Sequence, residues 1–122
     1  MKILLLEDDQ ILCNSLKEFL ELEGYSVDIA YRGPEAFDLT FENTYDLYIL
    51  DVNVPEVDGF SVLSSLRESG DETPAIYITA LTDINSISKG FAMGAEDYIK
   101  KPFDPEELVI RIKCKYGKDE VL

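Results

Sequence analysis

Histidine is absent from this chain, and cysteine occurs only at Cys13 and Cys114. Two distant cysteines with no histidine beside them lack the spacing of a metal site. They read as free thiols of a reducing compartment rather than as a disulfide. Basic residues are scarce too: 11 Lys and Arg stand against 25 Asp and Glu, a net charge of −14. Such a chain repels nucleic acid and anionic membrane, and is not expected to bind DNA by itself. It attracts cations or a basic partner surface, although for most of these acids solubility is explanation enough. No apolar run is long enough to span a bilayer, and MKILLLEDD turns acidic too soon for a signal peptide. The expectation is a soluble, cytoplasmic protein. Low-complexity tracts, repeats and internal linkers are also missing. That leaves one domain of 122 residues, 46% of them hydrophobic, large enough for a real core.

What is present is an alternation of short apolar runs and helical patterns. Lys2 to Leu6 reads as a strand that ends in Glu7, Asp8 and Asp9. A helix follows from about Gln10 to Glu23, with Leu12, Leu16, Phe19 and Leu20 on one stripe and Gly24 as its stop. Tyr25 to Ala30 predicts a second strand. Gly33-Pro34 opens a second helix that carries Ala36, Phe37 and Leu39 to about Phe41. Leu47 to Leu50 is a strand buried on both faces, stopped at Asp51. Pro55 and Asp58-Gly59 supply the turn before a third helix, from near Gly59 to Glu68, that buries Phe60, Leu63 and Leu66. Ala75 to Thr79 is the fourth strand, Ile84 to Met93 the fourth helix with Gly94 as its stop, and Asp97 to Lys100 the fifth strand. Pro105 opens a fifth helix, with Leu108, Val109 and Ile112 on its apolar side, reaching about Lys115. Five strands alternating with five helices predict an α/β fold, a mostly parallel sheet covered on both faces.

Parallel strands end together. The carboxyl ends of strands one, three, four and five bring Glu7 and Asp8, Asp51, Thr79 and Lys101 to one edge, where open α/β sheets bind ligands. Each residue alone has a plain explanation: Asp51 as a strand end or cap, Asp9 as a helix N-cap, Thr79 as packing, Lys101-Pro102 as a turn. Together they are harder to explain by structure alone. Three crowded carboxylates repel, and each raises the others' affinity for protons unless a cation binds. Oxygen-only ligands suit Mg²⁺. A hydroxyl and an ammonium facing the same point suit a phosphoryl group, with Asp51 as the nucleophile that becomes an aspartyl-phosphate.

Through the stretches ILLLEDD, ILDVNVPEVDG, YITAL and GAEDYIKKPF the chain resembles, over nearly its whole length, the receiver domain of two-component response regulators. The resemblance implies a flavodoxin-like (βα)5 doubly wound sheet with strand order 2-1-3-4-5. It implies that Asp51 accepts phosphoryl from the histidine of a sensor kinase. Glu7 and Asp8 would hold Mg²⁺, Asp8 the more directly, with Asp51 and the backbone carbonyl of Asn53. Lys101 would pair with the phosphoryl oxygens, the peptide before Pro102 would be cis, and Thr79 and Tyr98 would be the switch hydroxyl and switch aromatic. Asn53 stands where the family often has methionine or another apolar residue, and Glu7 replaces the aspartate of many members. The implied context is the N-terminal part of an OmpR-like winged-helix transcription factor, in which charges comparable to Lys89, Glu96, Asp97, Glu107 and Arg111 pair across a symmetric dimer of helix four, strand five and helix five; a solvated mixed-charge surface explains the same residues equally well. On this reading residues 1–116 are the receiver domain, and 117–122 are a tail or the start of a linker to a DNA-binding output domain absent from this chain. A stand-alone receiver acting by partner binding or phosphorelay is the alternative. An aspartyl-phosphate phosphatase would need an acid two residues after Asp51, where Asn53 stands.

Overall fold

The computed structural model of the chain describes residues 1–80, 84–92 and 94–116. Within them lie β1 (Lys2–Leu6), α1 (Gln10–Leu22), β2 (Ser26–Ala30), α2 (Gly33–Glu42), β3 (Leu47–Asp51), α3 (Gly59–Glu68), β4 (Ala75–Thr79), α4 (Ile84–Ala92), β5 (Asp97–Lys100) and α5 (Pro105–Tyr116). The sequence-based boundaries agree to within one or two residues. Tyr25, expected to open β2, instead lies before it and sends its amide back to Leu20 O at 3.2 Å, closing the α1 C-terminus. Met93, the loop after β4 and the 117–122 tail fall outside the described residues.

All strand pairs are parallel, in the order β2-β1-β3-β4-β5. The chain moves outward from β1 to β2, then crosses back to β3 on the other side of β1. That reversal opens the crevice beyond the carboxyl ends of β1 and β3, and there the acids stand. The central strands β3 and β4 are buried at every residue, which is why they read as unbroken apolar runs. On one face Leu4, Leu6, Leu50 and Tyr77 pack against Ala36 of α2 and Phe60, Val62, Leu63 and Leu66 of α3. On the other, Ile3, Leu5, Ile49 and Ile78 meet Cys13, Leu16 and Leu20 of α1 and Leu108, Val109 and Ile112 of α5. Leu12 and Phe19, placed on the α1 stripe from sequence, only flank this core, while Cys13 is fully buried in it.

Asp9 caps α1 by accepting from the Ile11 and Leu12 amides at 3.0 and 3.1 Å. Asp58 caps α3 through the Ser61 amide at 2.8 Å. These caps fix where each helix leaves its loop, and so where the residues at the sheet edge point.

Candidate functional site

Glu7 follows β1 directly and is fully buried. Its Oε1 accepts from the Lys101 ammonium, and its Oε2 from the Asp9 amide at 3.1 Å. Asp51 ends β3 and is also buried; its Oδ2 takes a second bond from Lys101 Nζ at 3.0 Å, and its Oδ1 accepts from the Asn53 amide at 3.3 Å. Asp8 is exposed at the mouth of the crevice. One carboxylate oxygen from each of Glu7, Asp8 and Asp51 lies within 4.8 Å of the other two.

Burial is the main force on Glu7. It pushes the carboxyl up from 4.5 to about 7, against the Lys101 and Asp9 bonds, and the charge of Asp51 adds a smaller push. Of the expected repulsion, the push of Asp51 on Glu7 is present, and it is secondary to desolvation. Burial opposes the Lys101 charge as well, yet the bonds to Glu7 and Asp51 outweigh it and hold its pKa above the ordinary lysine value. The ammonium thus stays charged between two carboxylates. Beneath them the Cys13 thiol donates to Glu7 O at 3.1 Å; burial, then the charge of Glu7, pushes it up to about 12, so it is a packed donor and not a nucleophile.

Donors of oxygen alone, two buried and one at the mouth, fit a hard divalent cation such as Mg²⁺. Thr79 ends β4, fully buried, and its carbonyl accepts from the Lys101 amide at 2.8 Å, which ties the ends of β4 and β5 together beside the cluster. The Lys101-Pro102 peptide is cis, as the resemblance implied. Tyr98 lies on β5, half-buried, its ring centroid 6.1 Å from that of Tyr77.

Sequence reasoning missed two parts of this site. A Cβ at Gly59 would stand 2.3 Å from the Asp51 carbonyl oxygen, so only glycine lets α3 start against the backbone of Asp51. The Asp58-Gly59 pair signalled a turn but not this approach. The Cys13 thiol under Glu7 gave no signal beyond its apolar character.

Residues 3–113 match the family model of the response regulator receiver domain. The chain belongs to this family. It is 43% identical over 121 residues to the transcriptional regulatory protein CrdR of Helicobacter pylori, covering 98% of this chain and 57% of that protein. Among solved structures, the receiver domain of the Francisella response regulator 1452 matches with TM-score 0.90 and 34% identity, over 97% of this chain and 98% of that one. DrrB of Thermotoga maritima, described as an OmpR/PhoB homolog, matches with TM-score 0.87 and 31% identity, over 97% of this chain and 53% of that one. These relatives are consistent with the OmpR-like branch. The receiver domain spans about half the length of the curated relatives it matches. No described helix is long and apolar enough to cross a membrane.

The charges expected at a dimer face have partners within the chain. Arg111 Nη1 bonds both oxygens of Asp97 at 3.0 Å, and its Nη2 reaches Glu107 at 3.1 Å. Glu96 accepts from the Ala75 amide at 2.6 Å, and Lys89 Nζ lies 5.2 Å from the centroid of the Phe60 ring.

Proposed function

We propose that this receiver domain is a phosphorylation-activated switch whose acceptor is Asp51. The observation that carries the reading is Lys101 Nζ, bonded to Asp51 Oδ2 at 3.0 Å, beside the grouped oxygens of Glu7, Asp8 and Asp51. An Asp51 oxygen forms a bond to phosphorus as the P–N bond of the kinase's phosphohistidine breaks and the imidazole leaves. Lys101, kept protonated by its carboxylate neighbours, turns to the oxygens of the transferred group and offsets their charge. The buried Thr79 hydroxyl supplies a further donor at the same edge, and Tyr98 follows its movement. Glu7, Asp8, Asp51 and the Asn53 carbonyl would hold Mg²⁺, which when bound neutralises the charge on the phosphoryl oxygens.

The partners that follow, for a domain placed in the cytoplasm, are a sensor histidine kinase and, after phosphorylation, a second copy of the receiver joined through α4, β5 and α5. DNA would be reached through a winged-helix output domain in the longer protein. The relatives' names and the half-length match support that context. Apart from its own phosphoryl transfer and dephosphorylation, the domain is not a metabolic enzyme.

The test is incubation with a small acyl-phosphate and Mg²⁺, followed by intact mass. One phosphoryl group, labile to base and hydroxylamine as a mixed anhydride is, should add to the wild type and not to Asp51→Asn, whose amide is a poor nucleophile. Labelling of that variant at the wild-type rate would overturn the assignment.

A further inference from the structure

The loop from β3 to α3 runs from Val52 to Asp58, borders the acceptor and carries Asn53. Its tip is bent unusually. Glu56 has φ +72, the left-handed region that residues with a Cβ rarely adopt. The Val57 amide bonds Pro55 O across it at 2.9 Å, which makes a γ-turn of the strained hand. Glycine would hold this conformation at no steric cost, but the residue is glutamate.

Its carboxylate leaves the loop and meets the N-cap residue of α2: Arg32 Nη1 lies 2.5 Å from Glu56 Oε1. Arg32 is itself steadied by Glu35, Nε to Oε1 at 3.3 Å. The next residue also touches the tip. The Gly33 amide bonds Pro55 O at 3.3 Å, and a Cβ at Gly33 would lie 2.3 Å from Val57 O and 2.6 Å from Val57 Cβ. The β2–α2 corner therefore grips residues 55, 56 and 57 in succession. At the other end of the same loop the Asn53 amide bonds Asp51 Oδ1 at 3.3 Å.

We propose that Arg32 is a positioning residue for phosphoryl transfer: through Glu56 it latches the strained loop tip and so fixes the loop that carries Asn53 beside Asp51. An exposed ion pair adds little to global stability. Its effect here is local, because it selects one arrangement of a loop that would otherwise relax away from a disfavoured φ. The proposal rests on the reading of Asp51, Asp8 and Asn53 as the acceptor and metal site.

The test is a double-mutant cycle of Arg32→Ala and Glu56→Gly, with Glu56→Ala alongside. Glycine accepts the positive φ unaided, so the latch becomes dispensable, whereas alanine keeps the strain and loses the latch. In metal-free protein, amide hydrogen exchange over residues 53–57 should rise roughly threefold to tenfold in Arg32→Ala and Glu56→Ala. The Mg²⁺ dissociation constant, read by calorimetry, should rise by a similar factor in both. In the Glu56→Gly background, Arg32→Ala should change neither quantity. Unchanged exchange in Arg32→Ala, or an equal effect of that substitution with glycine at position 56, would overturn the latch. If the wild type neither binds Mg²⁺ nor takes the phosphoryl label, the site reading itself fails, and the exchange measurement still decides whether Arg32 holds the loop.

Discussion

Lys101 Nζ joins two buried carboxylates that sit 44 residues apart in sequence, Glu7 and Asp51, whose Oδ2 it meets at 3.0 Å. It is ion-paired with both carboxylates at once. Removing one partner of a buried pair leaves uncompensated charge, which is costlier than never having built the pair. Lys101→Met should therefore lower stability by about 1–3 kcal/mol, a figure tempered by the partial exposure of the lysine and by protonation of Glu7. Labelling by acyl-phosphate should slow by about 10²-fold, as when a donor to developing charge is lost. Urea melts and intact-mass time courses measure the two effects. Wild-type values for both would show that the contact has no functional weight.

Asn53 presents an exposed amide two residues after Asp51, while its backbone N–H already bonds that carboxylate. The metal ligand in our reading is the backbone carbonyl. Asn53→Met should therefore leave Mg²⁺ affinity within about twofold and alter the dephosphorylation rate, because only the group beside the attacking water changes. A large loss of Mg²⁺ binding would instead make the side chain part of the metal site.

Mg²⁺ should stabilise the fold by mass action, since the unfolded chain keeps no cluster of Glu7, Asp8 and Asp51. At a concentration of 100 times the dissociation constant the gain is about 2.7 kcal/mol. Thermal melts at constant ionic strength read it. Asp8→Asn, which alters the exposed member without opening the core, should remove most of the shift. An equal shift in that variant would move the ion elsewhere on this acidic surface.

Asp97 supplies a pH test away from that cluster. Burial alone would raise its carboxyl, but the Tyr98 amide, the two Arg111 bonds and Lys115 at 3.3 Å hold it below the ordinary value of 3.8. A depressed folded-state pKa means stability present above the unfolded value and lost as pH falls through the folded one. Asp97→Asn should therefore cost about 1–3 kcal/mol at pH 7, and the gap to wild type should close below pH 3.8. Urea melts across that range decide it. A gap that stays constant with pH would assign the cost to packing instead of charge.

The strands and the sheet-edge cluster were legible because they rest on short-range patterns: apolar runs such as Leu47–Leu50, stops such as Gly24 and Pro105, and the single direction of parallel strands. That direction alone brings Glu7, Asp51, Thr79 and Lys101 to one edge. What stayed hidden depends on close approach between distant segments. Nothing near Gly33 in sequence announces Val57, and nothing near Glu56 announces Arg32 or a positive φ. The intrachain partner of Arg111 was hidden for the same reason: Asp97 and Arg111 read as a charge pair, but only the packing of α5 on β5 shows that they meet in one chain.

That intrachain contact sharpens the expectation for a dimer. Asp97 already holds Arg111, and Glu107 shares the same guanidinium, so a two-fold face of β5 and α5 must exchange charge partners instead of adding them. Each such pair occurs twice under two-fold symmetry, and self-complementarity needs no large apolar patch. Exposed pairs contribute only about 0–1 kcal/mol each, so the unphosphorylated domain should be mainly monomeric. On the proposed function, a dianion on Asp51 would interact differently with alternative arrangements of the elements after β4, and the exchange should become favourable only then. Sedimentation with beryllofluoride and Mg²⁺, which mimic the aspartyl-phosphate, should show a dimer of modest affinity that added salt weakens. Arg111→Glu should weaken it, and adding Asp97→Arg should partly restore it, because the reversed pair can still form in either chain. Melts of both variants separate a lost dimer from a loosened monomer, since the intrachain bond is lost in the first and reinstated with opposite polarity in the second. A dimer that ignores both substitutions is built on a different face, and the charges of β5 and α5 then serve only to fasten the helix to its own sheet.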